Sequence, residues 1–133
     1  MLPFHNFTSK AREAIRKSHE LAIERGQNQV SPVHLLLSLL LSDDSPILGI
    51  LDKLEADTML LTDYLVDSIE APEGSNILSP AYQIYLTPEL VRVLDAAGKI
   101  ASSTKDDFVS LEHLFLALLD VPSQAREILS RFR

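Results

Sequence analysis

Val30 to Leu40 reads Val-Ser-Pro-Val-His-Leu-Leu-Leu-Ser-Leu-Leu, and Val109 to Leu119 repeats it as Val-Ser-Leu-Glu-His-Leu-Phe-Leu-Ala-Leu-Leu. The offset between the copies is constant, since 109 minus 30 and 119 minus 40 both give 79. In each copy a serine suited to cap a helix is followed three residues later by a histidine, and a leucine-rich run follows that histidine. The duplication indicates that one helical unit is used twice and that the rest of the chain surrounds these two helices.

The match continues upstream of this motif. Thr8 to Leu40 aligns without a gap with Thr87 to Leu119, and each copy starts at a threonine that can cap a helix. Behind the first threonine lies one narrow stripe at helical spacing, made of Ala11, Ala14, Ile15, Ser18 and Ala22. Adding 79 to each position gives the stripe of the second copy, made of Leu90, Val93, Leu94, Ala97 and Ala101. The sequence therefore predicts a longer helix before each leucine-rich one.

A third helix is predicted in each copy and a fourth in the first copy alone. The third helix begins after Ser45, which corresponds to Ser123 at an offset of 78, since 123 minus 45 is 78. Asp57 is suited to cap the fourth helix. The second copy reaches Arg133 without a counterpart of that helix, which is expected to leave apolar surface exposed at Leu129 and Phe132.

These elements predict an all-α fold, a compact bundle of two pseudo-twofold-related four-helix-type repeats of which the second lacks its last helix. We expect a single domain over residues 1–133, with repeat one at about 7–71, a connector at 72–86 and repeat two at about 87–133. The connector is too apolar for a freely solvated linker, so we expect it to pack back on the domain. Strand signals are weak and are confined to residues 82–85.

The bulk composition excludes several classes of protein. The chain has no cysteine, which excludes a disulfide framework, a thiolate zinc site and a cysteine nucleophile. A formal charge of −7 argues against nucleic acid and anionic lipid as main partners. The longest apolar run, Leu35 to Leu41, is interrupted by Ser38 and stops before Asp43, so no membrane span is predicted. We expect a cytoplasmic protein.

Catalytic motifs are missing from the sequence. None of the four glycines precedes Lys-Ser or Lys-Thr, as a phosphate-binding loop would require, and no His-Glu-x-x-His motif occurs. His34 and His113 have two interpretations: near a twofold axis they could bind a metal or move protons, or each could hydrogen-bond locally beside its serine cap. The local interpretation is favoured. We predict no catalytic residue, no cofactor and no metal site.

These motifs together resemble a known family. Phe7-Thr8 before an alanine-rich helix, the Val-Ser-x-x-His-Leu motif, and the repetition of both are similar to the amino-terminal double-repeat (Clp-N) domain of Clp-type AAA+ unfoldases, of the ClpC and ClpB types. The resemblance covers residues 4–132. It implies a non-catalytic domain that recruits unfolded or tagged protein substrates and adaptor proteins for a hexameric ATPase ring, which in the ClpC type is partnered by the ClpP peptidase. The isolated domain is expected to be monomeric.

The same resemblance implies a binding site. In ClpC-type relatives a threonine at the start of each first helix and a glutamate just before each repeated histidine form pockets for phosphorylated arginine, which here selects Thr87 with Glu112. The other pair is Thr8 with Val33, where the carboxylate is replaced. In ClpB-type relatives the corresponding region, Thr8, Asp106 and Glu112, is implicated in handling unfolded polypeptide.

Two other hypotheses remain open from the sequence. One is a stand-alone adaptor or regulatory protein with the same fold, which a search for a continuing ATPase sequence would separate from a recruitment domain. The other is an enzyme that uses His34 and His113, which would require an activity that is lost when both are replaced while the fold survives.

Overall fold

The computed structural model describes residues 7–27, 29–41, 46–69 and 85–131. Within these ranges the chain is almost entirely helical, which confirms the all-α prediction. The elements in chain order are α1 (Ser9–Glu24), β1 (Gln29–Val30), α2 (Pro32–Leu41), α3 (Pro46–Lys53), α4 (Thr58–Ile69), β2 (Tyr85–Leu86), α5 (Pro88–Ser103), α6 (Leu111–Asp120) and α7 (Gln124–Ser130). Most of the connector predicted at 72–86, including its expected packing on the domain, lies outside the described residues.

The helix bounds reproduce the sequence duplication. Subtracting 79 from the first and last residue numbers of α5 and α6 gives those of α1 and α2. The first residue number of α7 exceeds that of α3 by 78, since 124 minus 46 is 78. Helix α4 has no counterpart within the described ranges. Within the described ranges the two repeats therefore share three helices.

Threonines begin the first helix of each repeat, as predicted. The side-chain oxygen of Thr8 accepts a hydrogen bond from the Ala11 N–H at 3.1 Å, and that of Thr87 accepts one from the Leu90 N–H at 3.2 Å. Each satisfies a backbone donor that the first turn of a helix leaves free, and such a cap contributes about 1 kcal/mol. Asp57 caps α4 in the same way, through the Leu60 N–H at 3.0 Å.

A left-handed residue ends the first helix of each repeat. The residue is Gly26 (φ 69°) after α1 and Lys105 (φ 61°) after α5. The next N–H, that of Gln27 or Asp106, returns to a helix carbonyl five residues earlier, at 2.9 Å in both repeats. Glycine adopts this conformation without a steric cost, whereas lysine adopts it only at a steric cost from its Cβ atom. These turns bring Gln27 and Asp106 back over the start of the next helix.

Two short parallel pairings cross between the repeats. Strand β1 pairs with β2 through Val30 and Leu86, and an isolated bridge joins Phe7 to Val109. Subtracting 79 from 86 and 109 gives 7 and 30, so the two bridges are related by the internal symmetry. The prediction that strand signals are confined to 82–85 was wrong for β1, because a pairing of two residues is too short to leave an alternating pattern.

The leucine-rich helices form the centre of the core. Leu35, Leu36, Leu37 and Leu39 on α2 are completely buried, and burial of each such side chain contributes roughly 1.5–3 kcal/mol. Helix α1 packs on α2 and α5 packs on α6, while α2 and α6 contact each other. The third helices cross over, so that α3 packs on α6 and α7 packs on α2. Both repeats therefore contribute to one hydrophobic core.

The expected exposure of apolar residues at the end of the chain was wrong for Leu129, which is buried by the packing of α7 on α2. Phe132 lies outside the described residues. Among the described leucines of repeat two, Leu116 on α6 is exposed instead, at 47%. No single helix in the described ranges has both the length and the apolar composition to cross a membrane; α2 and α3 meet these criteria only as a pair, and that pair is bent by 91°.

Candidate functional site

His34 is held by local hydrogen bonds. Its Nδ1 accepts from the backbone N–H of Ser31 at 3.0 Å and lies 2.8 Å from the Ser31 hydroxyl oxygen. Because Nδ1 is an acceptor, the proton of the neutral ring is on Nε2, which donates to Oε1 of Gln27 at 2.8 Å. Burial lowers the pKa of His34 to about 4, and the positive charge of Arg25 acts in the same direction.

His113 has the equivalent arrangement with a different partner. Its Nδ1 accepts from the Ser110 N–H at 2.9 Å, and its Nε2 donates to Oδ2 of Asp106 at 3.0 Å. Both ring nitrogens of each histidine are therefore used within its own repeat, which confirms the local interpretation of the pair. The described residues contain no group of three or more His, Cys, Asp or Glu side chains arranged to hold a metal ion.

Asp106 is a fixed carboxylate at the surface. Its Oδ2 accepts from the Thr104 hydroxyl at 2.6 Å as well as from His113, and its side chain is 52% exposed. The hydrogen bond from Thr104, followed by that from His113, holds the pKa of the Asp106 carboxyl below its ordinary value. Asp106 is thus ionised at neutral pH and restrained by two neighbours, while half of its surface remains available to a ligand.

The two threonines lie where the repeats cross. The Thr8 N–H donates to the carbonyl of Val109 at 2.9 Å, and Val109 is three residues before Glu112. The Thr87 N–H donates to the carbonyl of Val30 at 2.9 Å, three residues before Val33. The structure therefore brings Thr8 to the start of α6 and Thr87 to the start of α2. Sequence reasoning paired Thr87 with Glu112, because both belong to the second repeat, and these backbone hydrogen bonds favour the crossed pairing.

Val33 and Glu112 occupy equivalent positions with opposite surroundings. Val33 is 1% exposed and belongs to the core, whereas Glu112 is exposed on the first turn of α6. Glu112 forms no ion pair with any residue that the structure describes. Glu112 lies in the first turn of α6, where the positive end of the helix dipole favours an acidic side chain. Of the two equivalent positions, only that of Glu112 carries a carboxylate, since the other is Val33.

An apolar groove adjoins Glu112, and sequence reasoning missed it. Its walls come from α3 and the segment that begins α4 on one side, and from α6 and α7 on the other; its volume is about 200 Å³. Among the described residues Glu112 is its one charged lining residue, and Phe115 and Leu116 lie beside it on α6. The signal was in the leucine-rich run that contains Leu116, but sequence reasoning placed the exposed apolar surface at Leu129 and Phe132.

The duplicated helical unit and the crossed bridges define a double-repeat, all-helical domain with an exposed carboxylate, Glu112, at the start of α6. The chain belongs to the Clp repeat (R) N-terminal domain family, whose model matches residues 6–132. It is 30% identical over 132 residues to the chaperone protein ClpB of Bacillus anthracis, which covers 98% of this chain and 15% of that protein. The chain therefore spans about one seventh of the length of that relative.

Solved structures share the fold. The Hsp104 N-terminal domain from Candida albicans has a TM-score of 0.81 at 22% identity, covering 96% of this chain and 81% of that one. A ClpV N-domain determined in complex with a VipB peptide has a TM-score of 0.77 at 18% identity, covering 98% of this chain and 81% of that one. At these identities the similarity establishes the shared architecture of the domain.

Proposed function

We propose that this chain is the recruitment domain of an ATP-dependent Clp-type chaperone or protease unfoldase. In this role it binds unfolded or tagged substrates and adaptor proteins for an AAA+ ring in the cytoplasm, with ClpP as a peptidase partner if the ring is of the ClpC type, and it performs no chemistry itself. The observation that carries the proposal is the family match over residues 6–132. The ClpV domain with its bound VipB peptide supports peptide binding as a use of this fold.

The polar part of the proposed site consists of Thr8 and Glu112, here called the Thr8 pocket. The start of α1 offers backbone N–H groups, the positive end of the helix dipole and a hydroxyl, which together suit a phosphate group. Glu112 offers a carboxylate to a guanidinium. Phosphoarginine carries both groups, so it is the ligand that this pair of features fits. The opposite combination, Thr87 with Val33, has the helix start but no carboxylate.

Calorimetric titration with phosphoarginine tests the Thr8 pocket. We expect wild-type protein to bind and Glu112→Gln to bind at least about tenfold more weakly, because the guanidinium loses its counter-charge. Glu127→Gln, an equally charge-neutralising change at an exposed position of α7, is the matched control and should bind as wild type does. If wild type fails to bind phosphoarginine, or if Glu112→Gln binds it as tightly, the pocket assignment is wrong.

Unfolded polypeptide is the second proposed ligand of this surface. Asp106 and Glu112 are both exposed carboxylates near the start of α6, and the apolar groove begins at Glu112. Such a combination suits a chain that carries basic and apolar side chains together. Titration with a permanently unfolded model protein should show binding that Asp106→Asn and Glu112→Gln each weaken. Recruitment of unfolded chains is excluded if wild type shows no binding at any salt concentration.

A further inference from the structure

His34 and His113 share one hydrogen-bond pattern and differ in the residue that holds Nε2. In repeat one this residue is Gln27, and in repeat two it is Asp106, which is the equivalent position because 106 minus 27 is 79. The other ring nitrogen, Nδ1, accepts from a serine backbone N–H in both repeats. An amide is neutral and a carboxylate is negatively charged, so the two rings differ in what can offset a positive charge on them.

A positive charge on His34 has no counter-charge. The ring is buried, and of the charged side chains described on the elements that pack on α2, only that of Arg25 at the end of α1 acts on it. Arg25 is itself positive, and its ion pair with Glu24 is long, at 3.9 Å. Burial, followed by the charge of Arg25, lowers the pKa of His34 to about 4. The closed arrangement of repeat one therefore requires the neutral ring.

Protonation of His34 also removes an acceptor at the start of α2. The added proton binds at Nδ1, because Nε2 already carries one. Nδ1 then faces the Ser31 N–H, 3.0 Å away, as a second donor, and this backbone group loses its acceptor. A polar group without a partner destabilises the folded arrangement, so the charged ring is expected to leave this position.

Gln27 connects the ring of His34 to the end of α4. Its Oε1 accepts from His34, and its Nε2 donates to the carbonyl of Ile69, the last residue of α4, at 2.8 Å. The chain continues from Gln27 into β1, which pairs with β2, and the Val30 carbonyl accepts from the Thr87 N–H at 2.9 Å. Displacement of the ring therefore removes the support of the end of α4 and of the pairing between β1 and β2.

Repeat two has a carboxylate where repeat one has the amide. Oδ2 of Asp106 lies 3.0 Å from Nε2 of His113 and is fixed by the Thr104 hydroxyl at 2.6 Å. A positive charge on His113 forms an ion pair with Asp106, and this attraction offsets the loss of the hydrogen bond from the Ser110 N–H. The start of α6 can therefore stay closed when its histidine is charged.

We infer that Gln27, Ser31 and His34 form an acid-sensitive switch: protonation of His34 opens the start of α2 and releases the end of α4, while the equivalent start of α6 stays closed. The switch is a property of the domain beyond the recruitment function and does not depend on it. The juxtaposition that carries it is an amide that faces one buried histidine and a carboxylate that faces the other.

Amide hydrogen exchange of the whole chain at pH 7 and pH 5 tests the inference, after correction for the intrinsic exchange rate at each pH. At pH 5 the protection of the Ser31 and Leu35 amides should fall at least about tenfold, because the opened state binds the proton more tightly than the closed state does. The equivalent amides of Ser110 and Leu114 should keep their protection. Equal losses in both repeats, or full protection of repeat one at pH 5, overturn the inference.

Two substitutions test the role of the histidine partners. His34→Gln removes the titrating ring and should abolish the selective loss at the start of α2. Asp106→Asn gives His113 a neutral partner at an exposed position that the fold should tolerate, and the start of α6 should then lose protection at pH 5 as the start of α2 does. Asp107→Asn, at the exposed neighbouring position, is the matched control and should behave as wild type does. A selective loss that persists in His34→Gln, or a start of α6 that stays protected in Asp106→Asn, contradicts the switch.

Gln27→Ala tests the connection to α4. The substitution removes the hydrogen bond to the Ile69 carbonyl, so the amides in the last turn of α4 should exchange faster than in wild type at pH 7, while the start of α6 is unchanged. Gln29→Ala, at an exposed position two residues further on, is the matched control and should leave α4 as in wild type. Exchange at the end of α4 that is the same in Gln27→Ala and wild type would show that the ring does not hold this helix, and the inference would then be wrong.

Discussion

The two repeats share a framework and differ in what they leave uncovered. In repeat one, Val33 is in the core and α4 covers α2; in repeat two, Glu112 is in solvent and the equivalent face of α6 is open. The caps, the helix lengths and the histidine hydrogen bonds are nearly the same in both. The comparison teaches that the two copies share their packing, while among the described residues only the second exposes a carboxylate and a leucine at these equivalent positions.

Exchanging the two unequal residues should give the largest effect. Val33→Glu places an unpaired carboxylate in the core and should lower the free energy of unfolding by about 4 kcal/mol, whereas Glu112→Val should change it by less than about 0.5 kcal/mol. Urea unfolding followed by circular dichroism measures both. Equal effects of the two substitutions would show that the positions do not differ in burial.

Equivalent leucines should respond unequally to truncation. Leu37→Ala leaves a cavity in the core and should cost about 3 kcal/mol, while Leu116→Ala, at a half-exposed position, should cost less than about 1 kcal/mol. The same unfolding experiment compares the pair. A cost at Leu116 as large as that at Leu37 would mean that the α6 face is covered in solution.

His34 should make stability depend on pH. Its pKa is about 4 in the folded chain and about 6.5 when unfolded, so the unfolded state binds more protons between these values. Stability from His34 is complete above pH 6.5 and is lost as the pH falls toward 4, by about 2 kcal/mol after allowance for solvent screening. Urea unfolding of wild type and His34→Gln across this range should show a steeper loss in wild type. Parallel curves would contradict the assignment of the neutral ring.

The two threonine caps should separate stability from binding. Thr8→Val and Thr87→Val each remove one cap and should each cost about 1 kcal/mol. Thr8→Val alone should weaken phosphoarginine binding, because Thr8 lies on the same side as Glu112. Titration of both variants with phosphoarginine decides whether Thr8 or Thr87 acts with Glu112. Loss of phosphoarginine binding in Thr87→Val alone would restore the pairing of Thr87 with Glu112.

The smallest effect is expected at the helix ends. Lys105→Gly relieves the left-handed conformation after α5 and should raise the free energy of unfolding by about 0.5–1 kcal/mol. Gly26→Ala, at the equivalent turn, should lower it by a similar amount. A thermal unfolding scan detects both shifts, and a destabilised Lys105→Gly would indicate a structural role for the lysine side chain.

Local signals explain how much of the fold could be predicted from the sequence. Caps such as Thr8, Thr87 and Asp57 and the stripes behind them are properties of neighbouring residues, so the starts of α1, α5 and α4 followed from sequence alone. The pairing of Phe7 with Val109 joins distant parts of the chain through a very short contact and leaves no local pattern.

The candidate site was predictable in its members but not in its arrangement. Glu112 and Asp106 follow from the resemblance to the Clp-N family, and their exposure agrees with a binding role. Sequence order places Thr87 and Glu112 in one repeat, whereas the crossed bridges bring the opposite threonine to the start of α6. Leu129 is buried and Leu116 is exposed because α7 packs on α2 and α3 packs on α6. These contacts join different repeats, so the sequence of one repeat does not reveal them.

The reciprocal bridges also bear on the origin of the domain. The segment before the first helix of each repeat hydrogen-bonds to the other repeat. The Thr8 N–H donates to the Val109 carbonyl, and the Thr87 N–H donates to the Val30 carbonyl. This is the contact pattern of an isologous dimer, in which one patch serves both subunits. A single ancestral repeat could have formed the same core as a homodimer, and fusion of its gene would have freed one copy to lose its symmetry at the surface while the interface between the former subunits stayed closed.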